Sequence, residues 1–460
     1  MRQSNVALAL LTAAVLTACG GNGSTGGDQT LKTKFSAQVS FGDSLSDVGT
    51  YNVGTVKALG GGKFGINGNN TAINPTLTGA NWTELMAAQL GLPAPCAAIT
   101  GLDGNAAQGF AVATVAHGGC FGYAEGGSRV TNPVGMGNKL TGPVDGAVGA
   151  LTIPVAAQIQ NHLGVSGGKF SGTELVLMMA GANDIFMQLG GLKAGATAAG
   201  TAAGNTAFGN SLVAQLAAGA PNPQTAAVAI GTALQAEAAR PGHTDASVVG
   251  AAVQAAVIAG NTAVASPAVY GPMVATAQAA GATAGAKAGA DYFAANSPAA
   301  VAALGTAATE LVALVKTQVI GKGANFVVVN NMPDIGTTPF GRSIDANTLA
   351  LVNAMVKAFN DTLGAGLSSE AKVAYVDTFT ASQDQVTNPA QYGLTNVTTP
   401  ACDLSAPKNP LGSSLVCNGS NLIAGDVSHY SFADPVHPTP FVQLLLARRV
   451  SKDMVQKGWL

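Results

Sequence analysis

Phe35-Ser-Ala-Gln-Val-Ser-Phe41-Gly-Asp-Ser44-Leu-Ser-Asp47-Val-Gly49 is the stretch on which the reading of this chain turns. Its first half is a short strand-like run; its second half opens with a turn-forming cluster, Gly42-Asp43-Ser44. The same arrangement recurs downstream. Leu175-Val-Leu-Met-Met-Ala180 closes on Gly181-Ala-Asn-Asp184, and Asn325-Phe-Val-Val-Val-Asn330 closes on Asn331-Met-Pro-Asp-Ile-Gly336. Val373-Ala-Tyr-Val376 closes on Asp377. Continuous apolar runs rich in β-branched residues suit strands buried on both faces of a parallel sheet. Helix-length segments lie between them, over residues 81–90, 154–163 and 347–363. Strand and helix in alternation predict an α/β fold with a parallel sheet. Every run ends in glycine or polar residues, at the sheet edge where sites gather in open α/β folds.

The rest of the composition bounds the function. The chain has 460 residues, 10% charged and 47% hydrophobic, with 21 Lys+Arg against 23 Asp+Glu. No clustered basic field exists for gripping phosphates, so a nucleic-acid partner is not expected. Hydrophobic content this high at small net charge argues against general disorder. The 60 glycines follow no strict three-residue period, which excludes collagen. Length admits two or three average domains, or one domain with a large insertion.

An insertion is the reading favoured by residues of about 190–300. Between 201 and 300, 36 residues are Ala and five are charged. Ala is the best helix former, and segments 248–259 and 298–320 read as helices. Ser297 suits an N-cap there, with Pro298 at the first helical position. Two roles stay open for this helical, small-residue segment. It is a solvent-facing or partly disordered elaboration, or a lid or substrate-binding cap over a site near Asn183.

Arg2 and the apolar run ending at Cys19 have the layout of a secretory signal, too short to span a bilayer comfortably. Leu16-Thr-Ala-Cys19 resembles the bacterial lipobox, which implies a signal over 1–18 and a lipid on Cys19. Residues 19–34 then form a flexible tether, and 35–460 the main domain. Gly20 after the cysteine implies, by the same resemblance, the outer membrane and a membrane partner through the lipid. No other segment reads as a clean apolar stretch of spanning length. Four cysteines remain, in an exported compartment that permits oxidation. Proximity favours Cys96 with Cys120 and Cys402 with Cys417, although four cysteines allow three pairings. No CxxC or HxxxH spacing indicates a metal.

Phe41-Gly-Asp-Ser-Leu-Ser-Asp-Val-Gly49 resembles block I of the GDSL, or SGNH-hydrolase, esterase/lipase family. Tyr123-Ala-Glu-Gly-Gly-Ser128, Gly181-Ala-Asn-Asp184 and Asp434-Pro-Val-His437 resemble blocks II, III and V, in the family's order. Gly122 departs from the pattern, standing where the family has Asn. The resemblance implies a three-layer α/β/α sandwich and hydrolysis of carboxylic acyl esters without metal or organic cofactor. It also implies Ser44 as nucleophile, His437 as base and Asp434 as its carboxylate partner. The oxyanion donors would be the N–H groups of Ser44 and Gly127 and the side-chain amide of Asn183.

Each residue type has its physical reason. A serine hydroxyl is a poor nucleophile until a base takes its proton. A histidine can take that proton and return it to the leaving alcohol. A carboxylate fixes the ring's tautomer and stabilises the imidazolium. Glycine lets backbone approach a substrate closely. Several alternatives stay open. Gly126 rivals Gly127, Asp377 rivals Asp434, and Asn183 would serve equally as a helix cap. Asp47 reads as a hydrogen-bonding residue of its loop. Gly164-Val-Ser166-Gly-Gly168 matches the nucleophile elbow of another hydrolase fold, but a helix-like segment precedes it where a strand is needed. His429 is a candidate to line the cleft; His117, His162 and His243 lack a DxxH context. The resemblance implies acyl substrates such as lipids, although other members of the family act on sugar esters or polyesters. The alternative class is a non-catalytic surface lipoprotein, a binding or adhesion module on a hydrolase frame. Composition and motifs leave the oligomeric state open.

Overall fold

A computed structural model describes residues 32–142 and 146–460. Cys19, the expected signal and most of the tether lie outside the described residues. Four strands form a parallel sheet: β1 Gln38–Gly42, β4 Leu175–Met179, β5 Phe326–Asn330 and β6 Val373–Val376, side by side in that order. Residues 121–123 extend it beyond β1, where Ser40 N–H donates to Phe121 O and Tyr123 N–H to Ser40 O, at 3.0 and 2.8 Å. A small antiparallel pair, β2 Ile99–Asp103 and β3 Ala111–Ala116, stands apart.

Period-two alternation explains why the strands read as unbroken apolar runs. Val176 and Met178 of β4 enter one core, while Leu175, Leu177 and Met179 enter another. The first core lies against helices α2 Val155–Val165, α3 Ala182–Ala217, α6 Pro267–Leu314 and α7 Ala346–Leu367. The second lies against α1 Trp82–Gln89 and α9 Pro440–Gln456. Helices thus cover both sheet faces, and each fully buried Val, Leu or Met contributes roughly 1.5–3 kcal/mol. Helix α1 starts where Asn81 accepts N–H bonds from Thr83 and Glu84 while Glu84 reaches back to Asn81 N–H, a capping box.

The alanine-rich region is a run of helices joined by short turns. Helix α3 leads into α4 Pro223–Ala238 and α5 Asp245–Ile258, and α6 returns. At 1.5 Å per residue the 36 residues of α3 and 48 of α6 extend about 54 and 72 Å. Glycines let the two touch backbone to backbone: a Cβ on Gly200 would lie 2.9 Å from Gly285 O, and one on Gly285 2.9 Å from Gly200 O. Leu212, Leu216, Ile230 and Val264 build a separate core with α4 and α5.

Two expectations are corrected here. Ser297 is not an N-cap, because α6 starts at Pro267 and runs through Pro298. Pro298 withholds its N–H, while Asn296 Nδ2 and Ser297 Oγ donate to the carbonyls of Tyr292 and Phe293, at 2.8 and 2.7 Å. Packing along α3 carries the helix past a residue that would end an isolated one. Second, one helical stretch, Pro267–Lys322, is long and apolar enough to cross a membrane by length and composition. Its apolarity comes from alanine rather than from a run of large side chains, so the sequence does not display it as a span.

Candidate active site

Strand β1 delivers Ser44 to the C-terminal edge of the sheet. Gly42 ends the strand at φ +147°, where a Cβ would sit 2.0 Å from Met179 O, so only glycine fits against β4. The Gln158 amide of α2 holds this glycine at both backbone groups, each at 2.8 Å. Ser44 Oγ then lies 2.9 Å from His437 Nε2, across 393 residues of sequence. His437 Nδ1 lies 2.7 Å from Asp434 Oδ2. The Phe64 ring packs on the imidazole, centroids 4.9 Å apart.

Asp434 is buried, and burial alone would raise its pKa. The adjacent His437 charge and ring hydrogen bond outweigh this, aided by N–H donation from Ser414 and His437, and hold the carboxyl well below its usual range. Val436 N–H donates as well, at 2.9 Å. The ring's carboxylate partner is therefore Asp434. Asp377 instead caps α8 Thr378–Thr387 through Thr380 and bonds Asn331 Nδ2.

The glycine loop after residues 121–123 runs beside the end of β1, where Glu125 N–H donates to Gly42 O at 3.2 Å. Gly126 N–H is occupied, donating to Asp47 Oδ2 at 2.9 Å. Among the described residues, neither Gly127 N–H nor Ser44 N–H has a hydrogen-bond partner. Gly127 is left-handed, φ +82°, and a Cβ there would meet Met136 O at 2.1 Å. Asn183, in the first turn of α3, spends one amide hydrogen on Ser128 O at 2.9 Å and has a second to offer. Its neighbour Asp184 clasps the same loop, bonded to Arg129 Nε and Val130 N–H at 2.9 and 3.1 Å.

Buried acids underlie this loop. Burial raises Asp43 to about 7, against the Leu45 N–H and the His437 charge. Burial raises Asp47 to about 6, against N–H donation from Thr50, Gly49 and Gly126. Glu125 is pushed well above its ordinary value by burial, although Ile153 N–H donates to it. The Gly126 bond, the Asp184 clasp, the Gln158 brace and the Phe64 ring were missed in the sequence. None has a local spacing that would reveal it; each partner is at least 54 residues away.

The other candidates lie elsewhere. Ser166 caps the C-terminus of α2, with no strand before it. His429 stacks on Phe441 at 4.2 Å. His162 is buried among Phe41, Phe121, Tyr123 and Phe170, and burial lowers its pKa. His117 Nε2 meets Thr100 Oγ1, and His243 Nδ1 meets Arg240 O. The cysteines pair as Cys96–Cys120 and Cys402–Cys417. Among the described residues, no group of three or more His, Cys, Asp or Glu side chains converges as a metal site requires.

A hydroxyl, an imidazole and a carboxylate in line, beside unpaired N–H donors, are equipped for serine-hydrolase chemistry. Comparison with known proteins points the same way. The chain is 31% identical over 144 residues to a GDSL esterase/lipase of Arabidopsis thaliana, a match covering 29% of this chain and 38% of that protein. A second GDSL esterase/lipase of the same plant is 27% identical over 140 residues, covering 27% and 37%. The matched region is thus little more than a third of the length of these curated relatives. No protein-family model matches the chain. Both relatives bear the name GDSL esterase/lipase, and the likeness to each covers under a third of this chain.

Proposed function

We propose that this chain is a serine esterase of the GDSL type, built as a three-layer α/β/α sandwich of SGNH kind, that hydrolyses acyl esters through an acyl-enzyme. The observation that carries this reading is Ser44 Oγ at 2.9 Å from His437 Nε2, with Asp434 2.7 Å behind the ring. Ser44 Oγ attacks the ester carbonyl as its proton passes to Nε2. Asp434, held ionised by its donors, stabilises the imidazolium. The carbonyl oxygen becomes an oxyanion facing Ser44 N–H, Gly127 N–H and Asn183 Nδ2, where each donor is worth about 2.7–4 kcal/mol. Gly127 is preferred to Gly126 because Asp47 already occupies the Gly126 N–H. Collapse of the intermediate breaks the ester C–O bond, and His437 returns the proton to the departing alcohol. Water repeats the cycle on the acyl-Ser44 and releases the acid.

The test is hydrolysis of p-nitrophenyl esters and uptake of a fluorophosphonate probe, beside a Ser44→Ala variant. Turnover and labelling that both vanish in the variant are expected. A wild type that does neither sinks the esterase reading.

The same proposal places the enzyme outside the cytoplasm, with residues 1–18 as signal, Cys19 lipidated at the outer membrane, 19–34 as tether and 35–460 as hydrolase. Two disulfides suit an oxidising compartment. Cys19→Ser should release the protein from membranes; full retention would count against the anchor.

A further inference from the structure

At the root of the long helical pair lies an open groove of about 860 Å³. Its near walls are each tied to one part of the candidate site. Met136 belongs to the segment packed directly on Gly127. Phe186 follows Asn183 by one helical turn on α3. Phe340 lies in the short helix Pro339–Ser343, and its N–H donates to Pro435 O at 2.9 Å, between Asp434 and His437. The rings of Phe186 and Phe340 meet edge to face at 5.4 Å.

From there the groove runs out along the seam where α3 and α6 meet, past Thr197 and Gly200 on one helix and Ala286 and Ala290 on the other. The lining part of α3, residues 186–201, is about 22 Å long at 1.5 Å per residue. The lining is mainly apolar, and its charged members, Lys193 and Asp345, are exposed. A trough this long and smooth has the shape of an extended hydrocarbon chain rather than of a compact sugar or headgroup. In the reaction, the leaving oxygen must stay within reach of His437. An acyl carbon held at Gly127 N–H and Asn183 Nδ2 would lie beside the segments that carry Met136 and Phe186, which gives its chain a way into the groove.

We propose that this groove binds the acyl chain of long-chain esters, so that the helical insertion selects chain length for the active site. This inference rests on the esterase reading and deepens it. Every methylene withdrawn from water adds about fourfold to binding, so the preference should climb with chain length.

The test compares p-nitrophenyl butyrate with p-nitrophenyl laurate, using Ala290→Trp to fill the groove and Thr197→Asp to charge it. Both residues are exposed and stand on opposite helices, away from the reacting atoms. In both variants, kcat/KM on laurate should fall about tenfold or more, while butyrate turnover and fluorophosphonate labelling stay within about twofold. Laurate falling no further than butyrate in both variants overturns the inference. A wild type that labels and cleaves butyrate but shows no preference for laurate overturns it as well, and leaves the esterase reading intact. A wild type that neither labels nor cleaves any ester overturns both.

Discussion

Asn183 bears the sharpest expectation at the scale of single residues. Its amide has one hydrogen on Ser128 O and one that the proposed mechanism directs at an oxyanion. Asn183→Ala should lower kcat by about a hundredfold to a thousandfold with KM nearly constant, because an oxyanion donor acts mainly in the transition state. Steady-state kinetics decide this: a change in KM alone would make Asn183 a substrate-binding or loop-fixing residue. The buried acids set the pH response of stability. Ordinary carboxyls titrate near about 4. Asp47, raised to about 6, and Asp43, raised to about 7, keep protons in the folded state that the unfolded chain has already released. Stability should therefore decline as pH rises from about 4 through 7 and level off above. Thermal unfolding at a series of pH values would show it, with Asp43→Asn flattening the upper part; an unchanged slope in that variant would exonerate Asp43. Asp434 has the opposite sign. Its folded pKa is depressed, so its contribution is complete above the unfolded value and is lost only in strong acid. Asp434 and His437 share one short motif, but the expectation that Ser44 joins them across 393 residues came from the resemblance to the GDSL family and not from spacing. The choice between Gly126 and Gly127 could not be read locally either, since it depends on where the Asp47 carboxylate, 79 residues away, spends its bonds.

Elements differ in how openly the sequence displays them. Four strands were legible because burial on both faces leaves no polar alternation to blur them. The helices of the insertion exist as expected, but their limits were hidden. Alanine repeats give no apolar stripe, and Ser297-Pro298 imitates a helix start in the middle of α6. What positions these helices is glycine, and that predicts contrasting substitutions. Gly285→Val would drive a side chain into Gly200 O of α3, and overpacking of this kind costs about 1–3 kcal/mol. Gly231→Ala in α4 and Gly250→Ala in α5 meet open space and should stabilise by about 0.4–1 kcal/mol. Denaturant titration would distinguish them; equal effects would mean that α3 and α6 do not touch through Gly285.

For the whole molecule, the disulfides staple loops that feed the site. Cys120 immediately precedes the segment at the sheet edge that leads into Gly126 and Gly127, and Cys417 follows the Ser414 that donates to Asp434. Each closes a loop of 15 to 24 residues, worth about 3 kcal/mol by chain entropy. Reduction should lower the unfolding temperature and, by loosening both loops, activity; indifference to reductant would show that packing alone holds them. The length of the chain between Ser44 and His437 has a consequence in time. A growing polypeptide emits Ser44 393 residues before His437, and domains organise as they emerge. A product cut between the two residues therefore carries the hydroxyl without the imidazole. On the esterase reading such fragments would be silent toward esters, and activity would switch on only after His437 has emerged.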